Sequence, residues 1–226
     1  MLKESNPFEN YDKLTNIINV EEDYGLAIAS IWRKGTNALG TVVSRGYAIE
    51  KMIPKNAILF LSMNPSFKEG VSVGGFADIY KSEHPFHVAI QDFYKSIRTP
   101  QKPPMAHHDL LFIMETSQKN VLTWLKQDKA FFDDQLEISK EIIEKAEPKM
   151  IVVINAGVRD LFKELFKDTK SSFDDDLGVD MYEFDEKKKK KTPVLFSGML
   201  SGQRALDIGT RNSLKWHIEH ILKNSF

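Results

Sequence analysis

The stretch Ala57–Phe67, AILFLSMNPSF, begins with five apolar residues and then turns polar. A short apolar run followed at once by turn-forming residues is typical of a strand buried on both faces in the middle of a parallel sheet. Ligands of such sheets bind beyond the carboxyl ends of the strands, where Asn64 and Pro65 fall. Because Pro65 has a fixed φ and pushes Asn64 toward an extended conformation, we expect a rigid amide at this strand tip. An ordinary turn after a strand would also account for these residues.

Three further apolar runs predict strands of the same sheet. They are Leu110–Met114, Met150–Ile154 and Thr192–Phe196. Apolar residues recur at helical spacing in Tyr24–Arg33, Phe86–Ile97, Gln118–Lys126, Phe131–Ala146, Val158–Phe166 and Asn212–Leu222. This alternation predicts an α/β protein, a three-layer α/β/α fold around a central four-stranded, mainly parallel sheet. Right-handed crossovers bring the polar strand tips to one edge.

Two segments depart from this alternation within a chain that we expect to form a single domain, residues 1–226. The N-terminal part, 1–53, is predicted to be mostly helical, with one helix over Lys13–Val20 and with loop and short helix from Gly35 onward. The segment 168–192 is predicted to form a charged hairpin insertion before the last strand, with one arm near Met181–Phe184. Its lysine run, Lys187–Lys191, could contact phosphates, but such runs are more often solvated turns.

The composition restricts the chemistry. The 226 residues carry a formal net charge of −1, so any contact with nucleic acid needs a local basic patch. With 42% hydrophobic residues the chain can bury a sizeable core, and with no cysteine it cannot form disulfides, thiolate zinc sites or cysteine-ligated iron–sulfur clusters. No secretory signal is recognised, and no apolar run approaches the ~20 residues of a membrane span. We expect a cytoplasmic protein without membrane contact.

The order of these elements, with a polar motif after the first strand and another after the last, resembles the uracil-DNA glycosylase superfamily. Ser62-Met63-Asn64-Pro65-Ser66 is similar to the Gly-x-Asn-Pro-Gly motif of the mismatch-specific uracil and thymine glycosylases, in which the Asn positions the attacking water. Phe76 lies at a spacing similar to that of the family's Phe that stacks on the flipped base. The residues that the resemblance implies in catalysis or base binding are therefore Ser62, Met63, Asn64, Pro65 and Phe76.

The second motif of the family normally has His or Asn, then Pro-Ser and a residue that wedges into the duplex. Here the corresponding stretch is Ser197-Gly198-Met199-Leu200-Ser201, in which Met199 or Leu200 would be the apolar wedge. The resemblance and the neighbouring arginines suggest DNA contacts by Ser66, Met199, Leu200, Ser201, Gln203, Arg204 and Arg211. Asp207 and its flanking arginines have two interpretations, phosphate binding at the rim or an ion pair or cap at the last helix.

The chain departs from the family pattern at two strand tips. No His follows the last strand, so the group that neutralises the departing base is not evident. Glu115 occupies the tip where the family reads the base edge, and a glutamate facing carbonyl oxygens is unfavourable unless it is protonated. Asn155, after the third strand, is a further candidate for base binding.

Three functions remain open from the sequence. The first is hydrolysis of the N-glycosidic bond of uracil or of a related mispaired or damaged base, by a monomer without a cofactor that acts on DNA or a nucleotide. The second is a catalytically silent nucleic-acid or nucleotide binder of the same fold, since Ser197-Gly198 replaces the usual His or Asn. The third is an unrelated small-molecule hydrolase, which would need a Ser–His–acid set although no GxSxG motif is present.

The histidines lie close to one another in the sequence, which makes them candidate metal ligands. They are grouped as His84-x-x-His87, His107-His108-Asp109 and His217-x-x-His220. None of the groups has the HExxH pattern or another recognised spacing. We therefore expect solvated or structural histidines and no metal.

Overall fold

The computed structural model describes residues 16–35, 39–70, 74–78, 81–185, 187–202 and 205–225. The strands are β1 (Ile17–Asn19), β2 (Ala48–Glu50), β3 (Met52–Pro54), β4 (Ile58–Ser62), β5 (Gly75–Ala77), β6 (Met105–Asp109), β7 (Met150–Ile154), β8 (Ser171–Asp174), β9 (Val179–Asp185) and β10 (Lys190–Ser197). The helices are α1 (Val20–Lys34), α2 (Gly40–Val43), α3 (Pro85–Ser96), α4 (Gln118–Gln127), α5 (Lys129–Ala146), α6 (Ala156–Leu165) and α7 (Ile208–Asn224).

The main sheet has six strands in the order β6-β4-β7-β10-β9-β8. The strands β6, β4, β7 and β10 are parallel, and β9 and β8 continue the sheet in antiparallel fashion. The α/β class is therefore confirmed, but the expected four-stranded sheet is too small. The segment 168–192 pairs with the last strand as predicted, with Met181 opposite Pro193, and so extends the sheet instead of standing apart from it.

Helices cover both faces of the parallel strands because alternate strand residues enter two different cores. Leu59 and Leu61 of β4 pack in one core with α1, α4, α5 and α6. Ile58 and Phe60 pack in the other core with α3 and α7. All five residues of β4 are buried, as expected for a continuous apolar strand in the middle of such a sheet.

The second strand of the parallel set lies earlier in the chain than predicted. It is β6, whereas Leu110–Met114 forms an irregular segment after it, in which each residue is at most 1% exposed. The amides of Leu110 and Leu111 donate to Ser62 and Met63 carbonyls at 3.0 and 2.8 Å. The apolar residues of Leu110–Met114 therefore reflect burial and not strand formation. The strand β6 was not predicted because it contains polar residues.

The helix predictions fit best away from the N-terminus. The five predicted segments from Phe86 to Leu222 correspond to α3, α4, α5, α6 and α7, and Tyr24–Arg33 lies within α1. The predicted helix over Lys13–Val20 begins outside the described residues and is wrong where it enters them. Ile17–Asn19 is a strand paired with β3, and Asn19 caps α1 instead. Within the described ranges, no helix combines the length and apolarity needed to cross a bilayer.

Candidate functional site

A cleft of about 810 Å³ opens at the carboxyl ends of β4, β6 and β7. The chain passes from β4 to β6 on one side and then returns to β7 on the other side, with α3 and α5 on opposite faces. This is the switch point at which open α/β sheets bind ligands. The strand ends contribute Ser62, Asp109 and Ile154 to the lining, and Met199 and Ser201 come from the loop after β10.

Asn64 lies in the wall of this cleft with its amide held in one orientation. Its Nδ2 donates to the carbonyl oxygens of Pro65, Ile113 and Glu115 at 2.9, 3.2 and 2.6 Å. Because three carbonyl oxygens surround this nitrogen, the orientation of the amide is fixed, and Oδ1 is the acceptor of the side chain. Among the described residues none donates a hydrogen bond to Oδ1. Asn64 therefore fastens the loop 113–115 to the tip of β4 and retains one acceptor for a ligand.

A buried polar network forms the floor of the cleft. Ser62 Oγ lies 2.7 Å from His107 Nε2 and donates to Asp109 Oδ1. On its other side His107 Nδ1 lies 2.5 Å from Glu50 Oε1. None of the four side chains is more than slightly exposed, yet Ser62 and Asp109 still line the cleft. Two sequentially distant elements, β2 and β6, thus place charged groups directly beneath the tip of β4.

The network contains an ion pair and a carboxyl group whose pKa lies close to neutral pH. Burial opposes the charge on Glu50, but the charge and hydrogen bonds of His107, together with His108, hold the pKa of Glu50 well below its usual range. Burial also opposes the imidazolium, but the Glu50 and Asp109 carboxylates outweigh it and raise the pKa of His107. Burial raises the pKa of Asp109 to about 6, against the opposing charge of His107. We assign Glu50 as an anion and His107 as a cation.

These contacts also bear on two other possible roles of the buried network, a metal site and a catalytic triad. Donor atoms of Glu50, His107 and Asp109 lie within 4.8 Å of one another, a spacing compatible with a metal ion. Both ring nitrogens of His107 are nevertheless occupied, by Glu50 and Ser62, so this geometry is that of an ion-paired hydrogen-bond network. The series Ser62–His107–Glu50 matches the contacts of a Ser–His–acid triad, but an imidazolium has no lone pair with which to accept the serine proton.

Two histidines enter the cleft from the start of α3. His84 accepts a hydrogen bond from Phe86 N as the helix cap, and its Nε2 lies 3.2 Å from Ser66 Oγ. His87 Nδ1 lies 2.8 Å from Ser82 Oγ. Burial, and then the charge of His107, lower the pKa of His87 to about 3, so this ring is neutral. From the sequence we expected solvated or structural histidines here, and nothing in their spacing indicated that they reach the strand tips.

The predicted base-binding residues fall into two groups. Met63, Pro65 and Glu115 line the cleft, whereas Phe76 is not among the described lining residues. The Phe76 ring packs against Tyr47, with centroids 5.7 Å apart, in the core on the α1 side. Its stacking on a base stays a prediction, to which this placement lends no support.

Two aromatic rings that the sequence reasoning missed lie in the wall of the cleft. They are Phe67 and Phe86. Phe67 follows the Asn-Pro motif directly, and Phe86 comes from the first turn of α3. Their nearness to the strand tips depends on how the loop after β4 folds back, which apolar spacing does not encode.

Glu115 is an anion with its own partners. Arg45 Nη1 lies 2.9 Å from one carboxylate oxygen, and the Ser117 amide donates to the other at 2.8 Å. Burial raises its pKa, but these hydrogen bonds and the arginine charge outweigh burial and lower it. The carboxylate is therefore neutralised by Arg45 and needs no protonation to be tolerated in the cleft wall.

Asn155 acts as a helix cap beside a second pocket. Its Oδ1 accepts from the Gly157 amide at 3.0 Å, and its Nδ2 donates to Gln118 Oε1 at 2.6 Å and contacts Met199 Sδ at 3.4 Å. It lines an adjoining pocket of about 480 Å³, and it is not among the described residues that line the main cleft. Both polar atoms have partners within the protein, and base binding by Asn155 stays a prediction.

The backbone of Asn155 gives a first prediction. Its φ of 90° and ψ of 147° fall in a region that is essentially restricted to glycine. Asn155→Ala and Asn155→Gly lose the same side-chain hydrogen bonds, but only glycine relieves the backbone strain. We expect the glycine variant to be more stable than the alanine variant by about 1–3 kcal/mol in urea unfolding. Equal unfolding midpoints for the two variants would contradict this account.

The predicted DNA-contact residues are also divided by the structure. Ser66, Met199 and Ser201 line the cleft. Leu200 is only 4% exposed and packs in the core with α7, so as placed it cannot wedge into a duplex. Met199, which is partly exposed, is the candidate that remains for that role.

The segment around Asp207 confirms the capping interpretation. Asp207 Oδ1 accepts from the Thr210 amide at 3.0 Å at the start of α7. The guanidinium of Arg211 lies 5.6 Å from the centre of the Phe93 ring. Gln203 and Arg204 lie outside the described residues, so their predicted DNA contacts stay predictions.

The remaining charged motifs have partners away from the cleft. Lys188 Nζ lies 2.5 Å from a Glu147 carboxylate oxygen, and this lysine belongs to the turn between β9 and β10. His217 Nε2 donates to the Leu177 carbonyl at 2.7 Å, and His220 stacks on Trp216. These contacts fit structural roles for both histidines of the predicted pair.

Comparison with known proteins does not add a family assignment. No protein-family model matches the chain, and no curated protein matches it.

Proposed function

We propose that this protein hydrolyses the N-glycosidic bond of a nucleotide unit, with uracil or a related base in DNA as the substrate. The observation that carries the proposal is the fixed Asn64 amide, whose Oδ1 remains available in a cleft at the switch point of the sheet. The likeness of Ser62-Met63-Asn64-Pro65-Ser66 to a glycosylase motif supports it.

The cleft residues suit the two parts of this reaction, the attack of water on the sugar carbon and the departure of the base. Asn64 Oδ1 accepts a hydrogen bond from the attacking water and orients the water oxygen toward the sugar carbon, which is catalysis by positioning. As the C–N bond breaks, its electron pair leaves with the base and the water oxygen bonds to the carbon. Asp109, on the floor of the cleft, takes the water proton, since its pKa of about 6 leaves it mostly ionised at neutral pH. The base anion is finally protonated by solvent.

The lining also suits a flat, uncharged heterocycle. Phe67 and Phe86 provide rings, and Met63 and Met114 provide polarisable thioethers. Enzymes that act on a base hold it by stacking between apolar side chains and by hydrogen bonds to its edge. The Arg45–Glu115 pair presents no net charge at the wall.

A serine hydrolase is the second candidate, and one specific observation favours it. Ser62, His107 and Glu50 contact one another in triad order at 2.7 and 2.5 Å. The imidazolium state of His107 and the donation of the Ser62 proton to Asp109 weigh against this chemistry. Covalent labelling of Ser62 by a fluorophosphonate probe, lost in Ser62→Ala, would favour it over the glycosylase.

The proposal is tested with oligonucleotides that contain uracil in a single strand, in a G·U pair or in a G·T mismatch. We expect free base and an abasic site, detected by alkaline strand cleavage, from at least one of these substrates. Retained binding without release from any substrate would indicate the silent binder instead. Neither binding nor release would mean that the likeness to glycosylases ends with the fold.

A further inference from the structure

The main sheet ends in one covered edge strand and one open edge strand. All five residues of β6, at one edge, are buried. At the other edge Ser171, Ser172 and Phe173 of β8 are exposed, and Phe173 is 60% exposed. Among the described residues no further strand pairs with β8. A row of unpaired backbone groups beside an exposed aromatic ring is a template for pairing with another strand.

The ladder between β8 and β9 determines which backbone groups of β8 face outward. The Glu183 amide donates to the Lys170 carbonyl at 2.9 Å, and the register of the two strands sets these residues opposite each other. Because hydrogen-bonded pairs alternate along an antiparallel ladder, Ser172 directs its N–H and C=O groups to β9. The N–H and C=O groups of Ser171 and Phe173 therefore point to the open edge.

The charges at the two ends of β8 have opposite signs. The side chain of Lys170, just before the strand, is 73% exposed and lies 3.2 Å from Glu183. Asp174 ends the strand. Its Oδ1 accepts from the Leu177 amide at 3.0 Å, and among the described residues none donates to its Oδ2. Charges on an edge strand usually prevent pairing with other strands. A strand with a cation at one end and an anion at the other is nevertheless complementary to itself when two copies run antiparallel.

We propose that two copies of this protein associate through β8, which pairs antiparallel with β8 of the second copy about a two-fold axis at Ser172. In this register the outward groups of Ser171 meet those of Phe173 of the second copy, and the reverse, so both pairs form backbone hydrogen bonds. Lys170 lies opposite Asp174 of the second copy at each end, which pairs opposite charges. The two Phe173 rings become diagonal neighbours on one face of the joined sheet.

Charge and strand length favour this register over the two neighbouring ones. A shift of two residues toward the N-terminus keeps the outward groups matched, but it sets Asp174 opposite Asp168 of the second copy, and like charges there are destabilising. A shift in the other direction sets Ser171 opposite Asp175 of the second copy. Asp175 lies beyond the end of β8, so the outward groups of Ser171 lose their partners.

This pairing does not depend on the proposed glycosidic hydrolysis. No residue of β8 is among the described residues that line the cleft or the adjoining pocket. In the sheet, β10 and β9 lie between β7 and β8, so the open edge is remote from the strand tips that form the cleft. The second copy replaces the monomer expected from the sequence, and its presence is tested without a substrate.

Sedimentation velocity of the full chain over a range of concentrations measures the association. We expect the 25.9 kDa chain to pass from monomer to dimer as its concentration rises. Lys170→Glu and Asp174→Lys each set like charges opposite each other at both ends, so each is expected to raise the dimer dissociation constant at least about tenfold. Lys34→Glu is the matched control, because the Lys34 side chain is 72% exposed and also pairs with one carboxylate, that of Asp134. It should leave the constant unchanged.

A mixture of the two charge variants tests the antiparallel register. In equal amounts they are expected to recover dimerisation, because the introduced glutamate faces the introduced lysine at one end and the native pair remains at the other end. Ser171→Pro tests the backbone pairing separately. Proline removes an N–H that points outward and leaves the ladder to β9 its hydrogen bonds, so the dissociation constant should again rise.

Three results would overturn the proposal. The first is a wild-type chain that stays monomeric up to its solubility limit. The second is a dimer whose dissociation constant is the same in wild type and in both charge variants, since such a dimer uses another surface. The third is a mixture of the charge variants that associates no better than either variant alone. Thermal unfolding shows whether each variant is folded. If a charge variant is not, Ser171→Pro against wild type decides, and an unchanged dissociation constant contradicts pairing through β8.

Discussion

Replacing Glu50 with glutamine is expected to lower the free energy of unfolding by about 3–5 kcal/mol at pH 7, because it leaves a buried charge without its partner. Glu50 is 3% exposed and His107 is fully buried, with 2.5 Å between Oε1 and Nδ1. Glutamine retains the shape but not the charge, so the imidazolium must lose its proton or remain uncompensated. Asp109, 3.9 Å from the other ring nitrogen, replaces only part of the attraction.

The sign of the pH dependence follows from the shifted pKa values. The difference between wild type and Glu50→Gln is full between the ordinary pKa values of glutamate and histidine, about 4.5 and 6.5, and most of it remains at pH 7. It shrinks as the pH falls through the lowered pKa of Glu50, since a protonated glutamate resembles glutamine. It also shrinks as the pH rises through the raised pKa of His107, since a neutral imidazole needs no counterion.

Urea unfolding followed by tryptophan fluorescence at several pH values measures this effect. Glu164→Gln is the matched control, because Glu164 pairs with Lys167 on the surface, where such pairs contribute little. A loss in Glu50→Gln no larger than in the control at pH 7 would show that His107 is not charged in the folded protein.

Asn64→Ala is expected to reduce base release by about 10²–10³-fold or more, because it removes the acceptor that orients the attacking water. The same substitution also removes the donor to the carbonyls of Pro65, Ile113 and Glu115, so a modest loss of stability should accompany it. The two effects are separated by binding to a 2′-fluoro uracil oligonucleotide, which resists cleavage. We expect nearly unchanged affinity alongside the lost rate.

Asn212→Ala is the control for this prediction, since Asn212 is an exposed residue of α7. It should retain both rate and affinity. A rate for Asn64→Ala within threefold of wild type would remove Asn64 from the mechanism, and equal losses of rate and affinity would make it only a structural residue.

The sequence predicted those parts of the fold that depend on local pattern. The apolar runs of β4 and β7 and the amphipathic spacing of α3 and α5 reflect burial within a few residues of chain, and the structure confirms them. The strand β6 was missed because its His107-His108-Asp109 is polar. That polarity is satisfied by Glu50, Ser62 and Ser139, which lie far away in sequence.

Only the part of the site that lies at the ends of the strands was predictable from the sequence. Asn64 lies in the cleft because it comes two residues after the end of the buried strand β4, which is a local feature. The use of its amide nitrogen depends on the loop 113–115, and the entry of Phe86 and His87 depends on the path of the chain between β4 and α3. Phe76 matched the family by spacing, but its ring packs against Tyr47 instead.

The most direct test of the account is a single-turnover assay of wild type, in excess over a uracil-containing oligonucleotide, with free base quantified by chromatography. We expect uracil to be released in an amount equal to the substrate, and an abasic strand of unchanged length to remain before alkali treatment. Uracil that stays fully attached to the strand, under conditions in which binding is saturated, would contradict the claim that this cleft hydrolyses an N-glycosidic bond.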